Sequence, residues 1–352
     1  MQSSYREEDV ILLLKDITGL VQPQSTAERE RLIQSGKHYS EMLPIEYVPS
    51  EAYMEAYQAA LENYSGAVAR AVEVLADKII KARGKDVVLV SLARAGIPIG
   101  ILLKHAIQRK YGLDVLHYSI SIIRDRGIDD NAMKYMLKRH KAKDLLFVDG
   151  WIGKGAIARE LQQAVAPYEG VSPELAVLAD PANITELYGT REDILIPSSC
   201  LNSTVSGLIS RTFLRDDIIG KEDFHGAVYY GEWKDQDLSY AFIEGIEAAA
   251  GKCGIQENDS EISDVGCGMD EVKKIAETYG IENINFIKPG IGETTRVLLR
   301  RVPWKILISE SCSKDPALNH IKKLAEEKKV PVECYPLVRY KACGLIKKLA
   351  DT

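Results

Sequence analysis

The sequence lacks the features of a secreted, membrane-spanning or disulfide-linked protein. Its cysteines form no Cys-x-x-Cys pair, which argues against a disulfide framework and a zinc site and favours reduced thiols; they are Cys200, Cys253, Cys267, Cys312, Cys334 and Cys343. No apolar run approaches the roughly 18 residues of a membrane-spanning helix. The N-terminus has neither a basic start nor a signal-peptidase site, so we expect a cytoplasmic protein with no membrane partner.

Charge is unevenly distributed along the chain. The 352 residues include 45 Lys and Arg and 51 Asp and Glu, a net charge of −6. Residues 288–348 alone contain 14 Lys and Arg against 6 Asp and Glu, or +8, so the remaining residues carry −14. At roughly 150 residues per domain, the length predicts two domains, and the asymmetry predicts that they bind different partners.

The predicted domain boundary is a stretch rich in glycine, serine and acidic residues, Gly251–Gly268. We therefore expect a first domain over residues 1–250, a linker over 251–264 and a second domain over 265–352. Residues 1–60 combine a short helical pattern with a loop. We expect them to form an extension or hood over the first domain.

Alternating strand and helix patterns predict a parallel sheet in the first domain. Residues 86–92 and 144–150 are short apolar runs, each followed by a Gly-containing turn and a helical pattern. A third run, 114–123, lies between them. This alternation implies βαβ units, and ligands of such sheets bind beyond the carboxyl ends of the strands. The residues directly after each strand are therefore the first candidates for a site.

The turn within residues 145–157 has the composition of a phosphate-binding turn. The candidates for phosphate contact are Gly153, Lys154, Gly155 and Ala156. Glycines let the backbone approach an anion, the helix start presents unpaired N–H groups, and Lys154 adds positive charge. The carboxylate of Asp149, at the strand end, could accept hydrogen bonds from sugar hydroxyls. The alternative is an ordinary strand-to-helix turn, since the spacing does not match a Walker A loop.

This turn resembles the loop of type I phosphoribosyltransferases that binds 5-phosphoribosyl 1-pyrophosphate (PRPP). Asp149 aligns with the first acid of the family motif, whereas Gly150 replaces the second acid. SLARAGIPIG, residues 91–100, resembles the pyrophosphate loop of the same superfamily. The resemblance implies that the diphosphate is bound by Ala93, Arg94, Ala95 and Gly96. Alone, this second turn is more typical of a structural role, but the occurrence of both turns in the expected order favours the phosphate-binding interpretation.

A charged loop, residues 121–133, lies between the two turns and contains Arg124 and Arg126. In the superfamily a mobile loop at this place closes over the reacting centre. The resemblance therefore implies that Arg124, Arg126 and Asp149 are catalytic and act on a diphosphate leaving group. Mg²⁺ is the expected cofactor. We expect PRPP to hold most of its coordination sites, and Asp149 is the candidate protein ligand. The alternative is a solvated charged loop.

A polar cluster within residues 196–212 offers many hydrogen-bonding groups without net charge, which suits a substrate pocket. We expect Asn202, Ser203 and Thr204 to hold the acceptor base of the transfer reaction. The alternative is a serine-rich turn whose hydroxyls cap short helices.

A cysteine protease would use the same region differently. Cys200 would be the nucleophile, His225 its base, and Asp223 would orient the histidine. We rank this hypothesis lower because it leaves the two phosphate-type turns unexplained. The pair also has no local signature of a known protease family.

The second domain contains an informative segment, KPGIGETTRVLLR, at residues 288–300. A Gly-bearing turn opens a helix whose side chains can bond to base edges and phosphates, so we expect RNA contacts from Gly292, Glu293, Thr294, Thr295 and Arg296. The alternative is a capped amphipathic helix with a solvated basic face. The segment is similar to the turn with which the L7Ae/L30e/Pelota fold grips kinked RNA, and this implies that Tyr340, Lys341 and Ala342 lie near the RNA.

Nearly the whole chain resembles the phosphoribosyltransferase-like proteins of bacterial tellurium-resistance and stress gene clusters, which carry a C-terminal Pelota-type RNA-binding domain. The shared motifs are HYSEMLP (38–44), the R-A-G turn, VDGW-x-GKGAI and the segments at 196–212 and 223–230. Some members carry a cysteine-protease label. The resemblance implies an α/β fold: a type I phosphoribosyltransferase-like parallel-sheet domain, followed by a small αβα domain of the L7Ae/Pelota type.

The function expected from this resemblance is PRPP-dependent phosphoribosyl transfer to an unknown base, with RNA bound by the second domain. The alternative is a non-catalytic RNA-binding regulator that senses PRPP or a nucleotide, because Gly150 replaces the second acid. Many phosphoribosyltransferases dimerise, so a homodimer is a further expectation.

Overall fold

The structure is a computed structural model that describes residues 1–250 and 267–346. The predicted linker at 251–264 lies outside the described residues. The α-helices are α1 Thr26–Gln34, α2 Glu51–Arg83, α3 Ile97–Tyr111, α4 Asp130–Leu137, α5 Ala156–Val165, α6 Ser239–Ala250, α7 Gly268–Tyr279, α8 Ile291–Arg300 and α9 Asn319–Glu327. Within the described ranges, no helix combines the length and the apolar composition that crossing a bilayer requires.

The β-strands fall into a large sheet in the first domain, a second sheet near the C-terminus and two short pairs. They are β1 Ile11–Leu12, β2 Lys15–Asp16, β3 Val88–Leu92, β4 His117–Ile120, β5 Ile122–Ile123, β6 Gly127–Ile128, β7 Leu145–Trp151, β8 Leu175–Ala179, β9 Tyr188–Thr190, β10 Gly226–Ala227, β11 Ile287–Pro289, β12 Pro303–Ser309, β13 Val332–Tyr335 and β14 Ala342–Ile346.

The first domain is built on a six-stranded parallel sheet in the order β1-β4-β3-β7-β8-β9. α2 and α3 contribute to the apolar core on one face, and α4 and α5 to the core on the other. Every residue of β3 is buried, because both faces of the sheet are covered; this explains its continuous apolar sequence. The predicted mixed α/β fold with a parallel sheet is therefore confirmed.

The N-terminal extension divides at residue 50. Residues 51–60 form the start of α2, a helix of 33 residues that packs along α3 and α6. Residues before α2 supply β1 at the edge of the sheet and β2, which pairs with β10. The loop around Tyr39 lies over the predicted charged loop, where the Tyr39 hydroxyl accepts a hydrogen bond from the Arg124 N–H at 2.9 Å.

The second domain is a four-stranded sheet in the order β11-β14-β12-β13, with helices on both faces. β14 runs antiparallel to β11 and β12, whereas β13 is parallel to β12. α7 packs on one face through Val272 and Ile275. α8 and α9 pack on the other face, where Leu298 and Ile321 are fully buried.

The two domains share one apolar core. Ile291 and Leu298 of α8 belong to the same buried cluster as α2 and α3 of the first domain. The carboxylate of Asp193, which follows β9, accepts hydrogen bonds from the backbone N–H groups of Ile291 at 3.0 Å and Lys341 at 2.9 Å. α8 is therefore fixed against the carboxyl edge of the parallel sheet.

Candidate active site

A cleft of about 170 Å³ lies where the carboxyl edge of the parallel sheet meets the second domain. One wall is the end of β7 with the turn that follows it, and the opposite wall is the start of α8. Its lining residues are Ala95, Arg124, Asp149, Trp151, Ile152, Gly153, Lys154, Gly155, Ala156, Ile157, Ala158, Leu175, Lys288, Pro289, Glu293 and Arg296. The turn predicted to bind phosphate and the helix predicted to bind RNA thus face each other.

Asp149 is the acidic group of the first wall. Its Oδ1 accepts a hydrogen bond from the Gly150 N–H at 2.8 Å. Burial raises the pKa of Asp149 to about 6, against the opposing effects of the Gly150 N–H and Arg296, while Glu293 adds to the increase. Asp149 is therefore able to bind or release a proton near neutral pH.

Lys154 is directed at the second domain. Its Nζ donates hydrogen bonds to the backbone carbonyl oxygens of Ile284 and, at 3.2 Å, Ile287. Burial lowers the pKa of Lys154 to about 7, and the positive charges of Lys288 and Arg124 add to the decrease. The side chain predicted to bind a phosphate therefore also connects the two domains.

Gly155 shapes the turn, as its position in the sequence predicts. Its φ is +77°, and a Cβ at this position would lie 2.5 Å from Cδ1 of Ile184. Both the left-handed backbone and the close neighbour therefore require glycine at the start of α5.

The start of α8 forms the second wall. The Arg296 guanidinium lies 4.5 Å from the ring centroid of Trp151 and pairs with Glu293 at 3.3 Å. The side chains of Thr294 and Thr295 are fully buried, and the Thr295 hydroxyl donates to the carbonyl oxygen of Ile291 at 2.8 Å. The structure thus directs the predicted RNA-contact motif toward the first domain and the interior.

Gly292 of the same motif faces the first domain too. A Cβ at Gly292 would lie 3.6 Å from Oγ of Ser199 and 3.7 Å from Trp151. Tyr340 and Lys341, expected near RNA, also contact the first domain: the Tyr340 hydroxyl donates to the carbonyl oxygen of Gly153 at 2.5 Å. Ala342, from the same predicted rim, is fully buried.

The predicted pyrophosphate turn lies beside the cleft, but most of its residues contact other parts of the protein. Ala95 lines the cleft. Arg94 donates to the carbonyl oxygen of Ile209 at 2.7 Å and pairs with Glu46 at 2.8 Å. A Cβ at Gly96 would lie 2.5 Å from the carbonyl oxygen of Val148, so this glycine packs against β7. Ala93 packs, partly buried, against the apolar core.

The charged loop contributes one of its two arginines to the cleft. Arg124 is a lining residue, and its buried Nε has no hydrogen-bond partner within the described part of the chain. Arg126 instead pairs with Glu41 at 2.5 Å. The two predicted catalytic arginines therefore have different environments.

The predicted acceptor-binding residues lie in a turn that holds the N-terminal extension. Asn202 Nδ2 donates to the carbonyl oxygen of Tyr47 at 2.7 Å, and the Ser203 N–H donates to Glu46 at 3.1 Å. The hydroxyl of Thr204 donates to Asn202 Oδ1 at 3.1 Å. These three residues do not line the cleft.

The cysteine, histidine and aspartate of the protease hypothesis have separate surroundings. Cys200 is fully buried in the apolar core. His225 Nδ1 is hydrogen-bonded to the Ser121 hydroxyl at 2.8 Å, and burial lowers the pKa of the ring. Asp223 pairs with Lys15 at 2.6 Å. The described contacts do not assemble these three side chains into a catalytic triad.

The described residues offer few ligands for a divalent metal. In residues 1–250 and 267–346, no group of three or more His, Cys, Asp or Glu side chains could hold a metal ion. Asp149 and Glu293 are the cleft carboxylates that could contribute to a site shared with a bound phosphate. The described residues alone do not form a Mg²⁺ site.

Two residues that shape the site were missed. The ring of Trp151 packs against the guanidinium of Arg296, and the buried carboxylate of Asp193 accepts a hydrogen bond from the first residue of α8. An aromatic residue inside the Gly-flanked turn was a usable signal for Trp151. Asp193 lies in no motif, and its partners are about 100 and 150 residues away, so nothing local indicates its role.

Comparison with known proteins places the chain in a family. The chain is 39% identical over 365 residues to "Cysteine protease StiP" of Acinetobacter baylyi, covering 98% of this chain and 94% of the relative. Similar solved structures include a hypoxanthine-guanine phosphoribosyltransferase of Bacillus anthracis (16% identity, TM-score 0.27, 36% of this chain and 76% of that chain). Another is a purine phosphoribosyltransferase of Pyrococcus horikoshii (18% identity, TM-score 0.25, 34% of this chain and 78% of that chain). Scores this low carry no argument about activity.

These findings correct the expected function. PRPP-dependent phosphoribosyl transfer is wrong as the predicted activity, because the full-length relative is named a cysteine protease. The expected PRPP ligand and the homodimer find no support either.

The resemblance to the tellurium-resistance family is confirmed. A family model described as a tellurite-like stress resistance cysteine protease, StiP, matches residues 3–247, and a Pelota RNA-binding domain model matches residues 266–348. This chain belongs to the StiP family and ends in a Pelota-type domain.

Proposed function

We propose that this protein is a thiol-dependent peptide hydrolase, the class of its curated relative, with an RNA-binding C-terminal domain. The observation that carries the proposal is the 39% identity to a protein named as a cysteine protease along 98% of the chain. The cleft supports it, because Asp149 and Lys154 have pKa values shifted to about 6 and about 7. Titratable groups with such shifts in a concave site are typical of active sites.

Two cysteines are candidates for the nucleophile: Cys200, which lies within the StiP match at 3–247 but is fully buried, and Cys267, which lies within the Pelota match at 266–348. Cys267 is the candidate that we favour, because it is exposed; it caps the N-terminus of α7, where its Sγ accepts a hydrogen bond from the Met269 N–H at 3.5 Å. The sulfur of a cysteine nucleophile has to reach the substrate carbonyl carbon, so solvent exposure favours this residue. The next residue, Gly268, packs so closely on Tyr340 that a Cβ there would lie 2.1 Å from the tyrosine hydroxyl. That hydroxyl contacts the cleft turn at Gly153, so Tyr340 connects the start of α7 to the cleft, although Cys267 itself does not line it.

The proposed reaction follows from these groups. The thiolate attacks the carbonyl carbon of a peptide bond, the C–N bond breaks, and the leaving amine takes a proton. Water then hydrolyses the thioester to a carboxylate and restores the thiol. Asp149 and Lys154 are the cleft groups able to hold or deliver a proton near neutral pH.

A peptidase assay tests the proposal. Wild type, Cys267→Ser and Cys200→Ala are incubated with a peptide library, and cleavage is followed by mass spectrometry. We expect cleavage by wild type and Cys200→Ala, no cleavage by Cys267→Ser, and loss of cleavage after iodoacetamide treatment. Loss in Cys200→Ala, with its melting temperature unchanged, would make Cys200 the nucleophile. Absence of any iodoacetamide-sensitive cleavage by wild type would refute the hydrolase assignment.

RNA binding is the second activity that we propose, because a Pelota RNA-binding domain model matches residues 266–348. With the start of α8 facing the first domain, exposed lysines such as Lys328 and Lys329 at the end of α9 are available for phosphate contacts. We expect RNA affinity to fall as salt rises, and to fall further in Lys328→Ala/Lys329→Ala. The matched control is Lys81→Ala/Lys85→Ala, which removes two exposed charges from the first domain. Equal affinity of both double variants and wild type would exclude this surface.

A further inference from the structure

We infer that bound RNA extends beyond the second domain, crosses the cleft and reaches an arginine cluster in the first domain. The arginine cluster consists of Arg29, Arg94, Arg124 and Arg211. This inference rests on the proposed RNA-binding activity and assigns it a second surface, with single-stranded RNA as the ligand.

The arginine cluster forms where the N-terminal extension covers the carboxyl edge of the sheet. The Arg124 N–H donates to the hydroxyl of Tyr39 at 2.9 Å. Burial raises the pKa of Tyr39, and the guanidinium groups of Arg124 and Arg211 oppose that increase, so both cations lie near the ring. Crowding by the protein lowers the pKa of Arg211 to about 10, and the like charges of Arg29 and Arg94 add to the decrease. The Arg211 side chain nevertheless remains exposed to solvent.

Like charges are concentrated here in a domain that is acidic on average. Residues outside 288–348 carry −14, yet Arg29, Arg94 and Arg211 lie close to one another, and Arg124 lies with Arg211 beside Tyr39. Glu46 pairs with Arg94. Mutual repulsion of neighbouring cations disfavours the folded state, and a bound anion would offset this repulsion. The cluster is therefore best explained as a binding surface for a polyanion.

Arg124 connects the arginine cluster to the cleft. It lines the cleft together with Lys288 and Arg296 of the second domain. Its charge and that of Lys288 both lower the pKa of Lys154, after the larger effect of burial. Cations therefore continue from the RNA-binding domain, through Arg124, to Arg211. A small phosphorylated ligand would occupy one part of this path, whereas an RNA strand has a phosphate at every nucleotide and would contact several of these cations at once.

Two guanidinium nitrogens on this path lack a hydrogen-bond acceptor among the described residues. They are the buried Nε of Arg124 and the buried Nε of Arg296. An unpaired buried donor is unfavourable, and a phosphate oxygen would relieve the cost. Trp151, beside Arg296 in the cleft, offers an aromatic ring near the path.

The test measures binding of fluorescein-labelled polyuridylate to the full-length protein over a series of salt concentrations. Arg211→Gln and Arg124→Gln are compared with Arg139→Gln, an exposed arginine that precedes β7 at the opposite edge of the sheet. We expect each cluster variant to weaken binding several-fold and to reduce the salt slope by about one. The control should match wild type, and melting temperatures verify folding. Ultraviolet crosslinking of wild type should additionally label the peptide that contains Tyr39.

The outcomes separate this inference from the function on which it rests. If wild type binds RNA and both cluster variants retain its affinity and salt slope, RNA is confined to the second domain and the inference is wrong. If the variants lose binding of uridine monophosphate but not of polyuridylate, the cluster is a site for a small phosphorylated molecule and the inference is equally wrong. If wild type binds no RNA, the RNA-binding function itself fails.

Discussion

A histidine held between two carboxylates provides the most quantitative prediction. His105 of α3 is hydrogen-bonded through Nε2 to Asp9 at 2.8 Å and through Nδ1 to Glu247 of α6 at 2.7 Å. Both ring nitrogens can donate only when the ring is protonated. The hydrogen bond with Glu247 raises the pKa of His105, burial opposes this, and Asp9 adds to the increase. The charged ring thus ties the N-terminal segment, α3 and α6 together.

The sign of the pH dependence follows from the raised pKa. The pKa of His105 is higher in the folded protein than in the unfolded chain, where it is about 6.5. Its contribution to stability is therefore fully present below pH 6.5 and is lost as the pH rises through the pKa of the folded protein. Burial alone would raise the pKa of Asp9, but Tyr240 and His105 outweigh it and lower the pKa, so Asp9 remains ionised over this range. The predicted loss therefore lies on the alkaline side of pH 6.5.

The magnitude is limited by the exposure of the three groups. Hydrogen bonds to charged groups contribute about 1.5–3 kcal/mol each. The side chains of His105 and Glu247 are 24% and 30% exposed, against 7% for Asp9, so solvent screening reduces the Glu247 bond most. We expect a total loss of about 1–3 kcal/mol in the free energy of unfolding.

Chemical denaturation between about pH 6 and pH 9 measures this loss. Wild type should lose stability on the alkaline side, and His105→Gln should not show that loss. His140→Gln is the matched control, because burial lowers the pKa of His140 and its contribution changes on the acidic side. A His105→Gln protein with the same alkaline decline as wild type would refute the reasoning.

Three further predictions concern the cleft and its walls. In thermal denaturation, Gly155→Ala should destabilise the protein by about 2–4 kcal/mol, because the backbone there is left-handed and a Cβ would meet a close neighbour. The control is Gly112→Ala, where the backbone is also left-handed but a Cβ meets nothing within 4 Å; it should lose about 1 kcal/mol. Asp193→Ala leaves two N–H groups without their acceptor and should cost about 2–4 kcal/mol by the same assay. Arg296→Ala should increase acrylamide quenching of Trp151 fluorescence, since the guanidinium covers the ring; unchanged quenching would contradict that contact.

Local sequence patterns predicted the elements but not their assembly. β3 and β7 were recognisable because strands buried on both faces are continuous apolar runs. The turn at Gly155 was recognisable because glycine is required where φ is positive. The start of α8 was predicted as a helix, yet its partner was not, because an amphipathic helix does not specify which surface covers its buried face.

The prediction of phosphoribosyl transfer was wrong for a related reason. Small residues, a cation and a strand-end acid occur wherever a backbone turn is tightly packed, and here Lys154 bonds to carbonyl oxygens of the second domain. The sequence shows the residue types, whereas their partners lie about 130 residues away. The names of the full-length relative and of the matching family model favour a protease over a transferase.

The placement of α8 has a consequence for genetics. Glu293 and Arg296 line the cleft and also lie within the residues that the Pelota model matches, so a substitution at either position changes a cleft wall and the second domain together. If both proposed activities are real, mutants in α8 selected for loss of RNA binding should include some that also lose peptide hydrolysis. Alleles that separate the two activities should instead map to the exposed end of α9. Exchange of the second domain for another RNA-binding domain would remove one wall of the cleft.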